Sequence, residues 1–222
     1  MKRTILLILI ITIAVAFVSA ADVSARVTEI AGKVEYSLPG KDWKPAKVGD
    51  VLPKGTLIST GFKSTAILAV GNSTITVKPI TRLSLEELIE STAGSQTQLF
   101  LLAGRVKADV APEEGKITEF QVKSPTATAS VRGTSFEFDG INLLGLENQI
   151  QLITRTGMRR TVSAGEFSYV SMNGSITPPV AVSAESGLER IDELVDIAEA
   201  ETRTEAPQAK VERTATVIII LE

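Results

Sequence analysis

Residues 124–138, SPTATASVRGTSFEF, decide how the chain is read. Ala127, Ala129 and Val131 alternate with hydroxyl residues, and Phe136 and Phe138 then recur at the same spacing. A period of two is that of a strand with one buried face. The stretch predicts two short strands meeting at Arg132-Gly133-Thr134. Small side chains before the junction and aromatic ones after it predict a tight crossing, with Gly133 placed where a Cβ would not fit.

The same rhythm extends in both directions. Val34 and Tyr36, Leu57-Ile58, Ala66–Val70, Ile75 and Val77, and Leu83 and Leu85 precede the stretch. So do Leu99–Leu102, then Val106, Ala108 and Val110, then Phe120 and Val122. Ile150 and Leu152, Val162, and Phe167 and Tyr169 follow it, and Gly, Pro, Asn and Asp punctuate the runs. Short strands at this spacing predict an all-β fold: a sandwich or roll, or a short β-helix. Two segments break the rhythm. Glu86 to Gln98 is polar and reads as a loop or hairpin end around Gly94-Ser95, and Asn142–Asn148 reads as an excursion. Ala31-Gly32-Lys33-Val34-Glu35 is echoed by Ala103-Gly104-Arg105-Val106-Lys107, as stacked β layers would allow.

Composition removes several chemistries. The 222 residues contain no cysteine and no histidine. Disulfides, thiol nucleophiles, Cys/His metal sites, His-based triads and lipoprotein acylation are therefore excluded. The net charge of -3, without a basic cluster, is a poor basis for binding nucleic acid. There is no phosphate-binding glycine loop, no Ser-x-x-Lys pair and no Asp-x-Asp run for calcium. Glu86-Glu87 and Glu113-Glu114 read as solvated turn carboxylates rather than a glycosidase pair. The expectation is a protein that is not an enzyme and uses no cofactor or metal.

The ends have their own signatures. Lys2-Arg3, the apolar run Ile5–Val18 and Val18-Ser19-Ala20 have the order of a signal peptide over residues 1–20. The alternative is an uncleaved anchor, which would be the chain's one link to a membrane. Either way the remainder is expected outside the cytoplasm, periplasmic or secreted, and is not a lipoprotein. An all-β domain is expected over 23–177, followed by a linker and helix over 178–206 that begins at Pro178-Pro179. In that helix Leu188, Ile191, Leu194, Val195 and Ala198 share one face. Ser186-Gly187-Leu188-Glu189 has capping-box spacing, and Glu185, Glu189, Asp192, Glu193, Asp196 and Glu199 make the other face acidic. The helix is expected to dock on its own domain, with partner binding as the alternative. Residues 207–222 form a polar tail, and Thr216–Leu221 reads as a terminal strand that pairs with its own sheet or with another protein.

From Val27 to Ile176 the ordered pieces resemble a known module. They are Gly32-Lys33-Val34, Trp43 with Pro45, Gly49-Asp50-Val51-Leu52, and Gly55 with Ile58-Ser59-Thr60. Ser64-Thr65-Ala66, Thr81-Arg82-Leu83 and Leu102-Ala103-Gly104-Arg105-Val106 follow. Phe120-Gln121-Val122, Val131-Arg132-Gly133-Thr134 with Phe136, and Ala164-Gly165-Glu166 complete the set. Together they resemble the FecR domain, a bacterial cell-envelope module. The resemblance implies the periplasmic part of a transmembrane signal transducer. With the apolar run already beginning at Ile5 and no clear receptor-docking domain after the β region, regulation of a sigma factor is not carried over. The expected function is a non-catalytic extracytoplasmic interaction module that binds another envelope protein or senses a signal. The alternative is a protein associated with peptidoglycan or another carbohydrate, with cell-wall glycan as its partner.

The matching positions Gly49, Asp50, Gly55, Thr60, Gly104, Arg132, Gly133, Thr134 and Phe136 are expected to be structural. Arg132 is a forked donor that suits a carboxylate ligand. As a structural group it would cap strand-end carbonyls or pair with an acid such as Glu137. Trp43, the single tryptophan, is either a core anchor or an exposed platform that contacts a sugar.

Overall fold

The computed structural model describes residues 21–22, 24–182, 187–189, 191, 193–197 and 200. The expected signal segment over 1–20, Ser186 and the tail with Thr216–Leu221 lie outside the described residues. In chain order the first strands are β1 (Ala21–Asp22), β2 (Ala25–Ala31), β3 (Val34–Ser37), β4 (Lys44–Pro45), β5 (Val51–Leu52) and β6 (Leu57–Thr60). Next come β7 (Thr65–Val70), β8 (Ser73–Val77), β9 (Arg82–Ser91), β10 (Gly94–Ala103), β11 (Val106–Val110), β12 (Ile117–Lys123) and β13 (Ala127–Val131). The last are β14 (Thr134–Phe138), β15 (Asn142–Gly145), β16 (Gln149–Thr154), β17 (Arg159–Ser163), β18 (Glu166–Tyr169) and β19 (Val180–Ala181).

These strands form a sandwich. The first sheet has the order β4-β3-β6-β9-β10-β12-β13-β16-β17, with β1 beside β9. The second has the order β5-β2-β7-β8-β11-β14-β15-β18-β19. From β6 onward both orders follow the chain, because the polypeptide lays a strand or two in one sheet and then crosses to the other. Among the described residues the sole parallel pair is β10 with β12. A parallel neighbour needs a crossover, and here β11 in the opposite sheet supplies it.

Alternation places the core. Leu68 and Val70, Ile75 and Val77, Leu83 and Leu85, and Leu99 and Leu101 all point between the sheets and are buried. The crossing at Arg132-Gly133 takes the chain from β13 in the first sheet to β14 in the second, as the opening stretch predicts. A Cβ on Gly133 would lie 2.8 Å from Cβ of Pro112. Phe136 then meets Phe120 of the facing sheet edge-on, with centroids 6.3 Å apart and planes at 71°.

The glycine echo is structural as well. Gly32 turns the chain from β2 into β3, and Gly104 turns it from β10 into β11, with φ of 74° and 87°. Each passes a hydroxyl that accepts the next residue's N–H. Lys33 N donates to Ser64 Oγ at 2.8 Å, and Arg105 N donates to Thr81 Oγ1 at 3.0 Å.

Two sequence expectations are corrected. The polar stretch from Glu86 to Gln98 is a hairpin end, as one of its two readings has it, but it is paired strand and not a loop: it belongs to the two longest strands, β9 and β10, which turn at Thr92-Ala93. A register shift between Gln98 and Leu99 breaks the alternation there, so Glu86 and Glu87 are adjacent in sequence without ending the strand. Asn142–Asn148 is not an excursion, since Asn142–Gly145 forms β15. Its Leu143 enters the main core and its Leu144 the opposite face, so no period of two is visible.

That opposite face carries a second apolar cluster. Leu144, Phe167 and Val180 on β15, β18 and β19 are covered by Leu188 and Leu194 of the C-terminal helical segment, with Ile191 and Val195 packed beside them. The helix therefore docks on its own domain, with Glu189, Glu193 and Asp196 outward. Its start is fixed by β14: Leu188 N donates to Glu137 Oε2 at 2.9 Å, and Lys78 Nζ lies 3.6 Å from Oε1. Glu137→Ala removes a charged acceptor from a side chain only 6% exposed, and is expected to cost about 1.5–3 kcal/mol. Denaturant unfolding reads the loss, and limited proteolysis is expected to clip the helical segment first. Glu137→Gln, which keeps an acceptor, is expected to lose less.

Candidate ligand-binding face

The two outer faces of the sandwich differ. The helix covers the second sheet at its β15–β18–β19 end, whereas the first sheet is open among the described residues. Its outward residues follow from register. Glu87 pairs with Gln98, Gln98 with Gln121, Gln121 with Ser130, Ser130 with Gln151, and Gln151 with Thr161. Directly paired residues share a face, so these side chains form one polar row across six strands. At 4.7–4.9 Å per strand the row is about 24 Å long. Gln96 and Gln149 flank it, each two residues along its strand. The chain has six glutamines, and the five described ones all lie on this face.

Charge is graded along the row. On the β9–β12 side the amides are tethered to acids: Gln98 Nε2 donates to Glu86 at 2.7 Å, and Gln121 Nε2 to Glu119 at 2.7 Å. On the β13–β17 side stand Arg132 and Arg159, both exposed and without a side-chain hydrogen bond or ion pair among the described residues. A groove of about 570 Å³ runs between them, floored by Gln121, Ser130, Gln151 and Thr161. Arg132 belongs to this groove. The pairing with Glu137 does not form, because Glu137 sits on the second sheet under the helix.

Trp43 is on the surface and not in the core, with 43% of it exposed. It precedes the edge strand β4, and its ring stacks against the Arg82 guanidinium at 5.6 Å. Beside it, a hydrogen bond to the Tyr36 hydroxyl raises the pKa of Lys44, whose ammonium lies 4.6 Å above the Tyr36 ring. Trp43→Ala therefore removes surface and one cation–π contact, and is expected to cost about 0.5–1 kcal/mol in thermal unfolding.

The remaining motif positions are framework. Gly49 N donates to Val27 O at 2.8 Å, and Asp50 accepts Lys47 N at 2.9 Å to close the same turn. Gly55 N donates to Leu85 O at 2.6 Å. Thr60 Oγ1 donates to Lys78 O at 2.6 Å and accepts Thr81 N at 2.9 Å, which ties β6 to the turn before β9. Thr134 Oγ1 donates to Glu147 O and so ties the start of β14 to the turn after β15. None of these residues lines the groove except Arg132.

The glutamine row was not legible as a site before register was known. Its trace in the sequence is that outward strand positions carry amides where lysine and glutamate are the common choice. No group of three acidic side chains that could hold a metal occurs among the described residues.

Residues 56–158 match the family described as FecR protein. The chain carries a FecR domain. The match includes Thr60, Gly104, Arg132, Gly133, Thr134 and Phe136, whereas Trp43, Gly49, Asp50 and Gly55 precede it. The sandwich of this FecR domain runs on either side of the matched residues, from β2 through β19. No curated protein matches the chain. Two crystal structures of a protein from Parabacteroides distasonis ATCC 8503, assigned as an anti-sigma factor, are similar in part. Both are 17% identical over 58% of this chain, with TM-scores of 0.49 and 0.48. The chain spans 61% of the length of each.

Proposed function

We propose that this FecR domain is a non-catalytic sensing and binding module of the cell envelope, exported by its N-terminal segment, that engages an envelope partner through the open face of its first sheet. The observation that carries this reading is the asymmetry of the sandwich. One face is covered at its β15–β19 end by a helix over a second apolar cluster, while the other presents a continuous polar row ending in two arginines without a partner among the described residues. The groove holds hydrogen-bonding groups at fixed register and no nucleophile–base pair, which suits recognition rather than bond cleavage. The FecR match supports a regulatory role of this kind.

Site-specific photocrosslinking in intact cells of the source organism tests the reading. A photoreactive residue at Ser130, in the row, is compared with one at Glu193, on the outer side of the helix. Reproducible adducts from Ser130 are the expected result. Adducts from Glu193 alone would move the binding surface to the helix and remove this proposal.

A further inference from the structure

The β13–β17 end of the open face has a chemistry that narrows its ligand. β13 and β16 are interior strands, and their backbone groups are used in the ladders on both sides. Only side chains face the groove. A peptide bound in this position would find no free backbone edge along the floor and no apolar slot for an anchoring side chain. The floor of Gln121, Ser130, Gln151 and Thr161 instead offers amides and hydroxyls, which both donate and accept. That mixed capacity matches a chain of sugar hydroxyls. Ile117 and Ile153 border the floor and can cover the C–H face of a sugar ring.

The two arginines add a charge requirement. Arg132 follows β13 and would oppose Gln149 one step beyond the ladder, whereas Arg159 opposes Ile153. The two positions are separated by four residues along β16, about 13 Å at the rise of a strand. A guanidinium presents parallel donors that fit a carboxylate in a forked geometry. Neither has a carboxylate partner among the described side chains. Glu119 is turned to Gln121 at 2.7 Å and makes no ion pair.

We infer that this groove binds a carboxylate-bearing glycan, a sugar-acid oligomer laid across β12–β17 with its acid groups on Arg132 and Arg159. The inference rests on the open-face reading above and names the class of its ligand. The acids at the β9–β12 end, Glu86 and Glu87, set the polarity: the anionic part of the ligand sits toward β17.

The test uses the full chain and three probes: an oligogalacturonate, its methyl ester, and poly-glutamate of similar length. The oligogalacturonate is expected to bind saturably, with NMR amide shifts concentrated at Gln121, Ser130, Gln149 and Gln151. The methyl ester, which keeps the hydroxyls and loses the charge, is expected to bind at least about tenfold more weakly. Poly-glutamate, which keeps the charge and lacks the hydroxyls, is expected to give no saturable binding. Arg132→Lys/Arg159→Lys preserves charge and removes the fork, and is expected to lose about tenfold in affinity with an unchanged melting temperature.

Equal binding of the methyl ester would overturn the carboxylate requirement. Equal binding of poly-glutamate would make the surface a docking site for acidic polypeptide. Absence of saturable oligogalacturonate binding would end the inference. If glycan binding fails while Ser130 still crosslinks to a protein, the open-face function stands and only its ligand class falls.

Discussion

Gly104→Ala is expected to cost the domain about 3 kcal/mol or more, from a strained backbone together with an overlap in a packed corner. Gly104 lies at φ 87° where the chain leaves β10 for β11. An added Cβ would stand 2.4 Å from Thr81 Oγ1 and 2.5 Å from both Ile80 O and Thr81 Cα. Two of those three atoms are backbone, so a rotamer change cannot relieve the clash. Thr81 cannot retreat cheaply either, because its hydroxyl is held to Arg105 and its N–H to Thr60. For a domain of this size the loss corresponds to a fall of about 6–12 °C in Tm, with reduced soluble yield. Gly32→Ala is the control. Its nearest backbone contact is Ser64 Cα at 3.0 Å, and the closest atom of all is a rotatable hydroxyl. It is expected to be clearly the milder of the two. Equal losses at both glycines would show that conformation alone, without the overlap, sets the cost.

Phe136→Ala is expected to be of similar size, about 3–5 kcal/mol by denaturant unfolding. The ring is fully buried, and it bridges the sheets immediately after the crossing. Its removal leaves a void between β14 and β12 that backbone fixed on both sides cannot close. The edge-on contact with Phe120 adds a coupling separable from burial. A double-mutant cycle of Phe136→Leu and Phe120→Leu is expected to return about 0.5–1.5 kcal/mol. A coupling near zero would mean that the two rings only fill space.

How much of this was legible beforehand follows from where each side chain points. Strands with one wet face announce themselves, and β7, β8, β11 and β13 stand where alternation predicts. The crossing at Gly133 was readable because a change in side-chain size coincides with a change of sheet. β15 was not, because both of its faces are dry and Leu143 and Leu144 serve different clusters. Trp43 illustrates a different limit. A single large aromatic suggests a core, yet Trp43 precedes an edge strand that has only Lys44 and Pro45 to pair, and it stays on the surface. The glutamine row lies further from reach. That Gln98, Gln121 and Gln151 fall in one row depends on pairings between residues as far apart as Gln98 and Gln121, and no local pattern encodes those. The forked side chain of Arg132 is visible in the sequence, but its neighbours follow only from the register of β12, β13 and β16.

The order of strands bears on how such a protein reaches its native state. Beyond β6, each new strand settles beside one laid down shortly before, in whichever sheet its turn sends it to. Formation can then proceed like winding a cord on two pegs, from one end toward the other, with short loops to close at every step. A chain that emerges gradually from a narrow exit, amino end first, would find a template waiting for each segment as it appears. The helix would follow β19, and would close the apolar patch of Leu144, Phe167 and Val180 that the winding leaves uncovered.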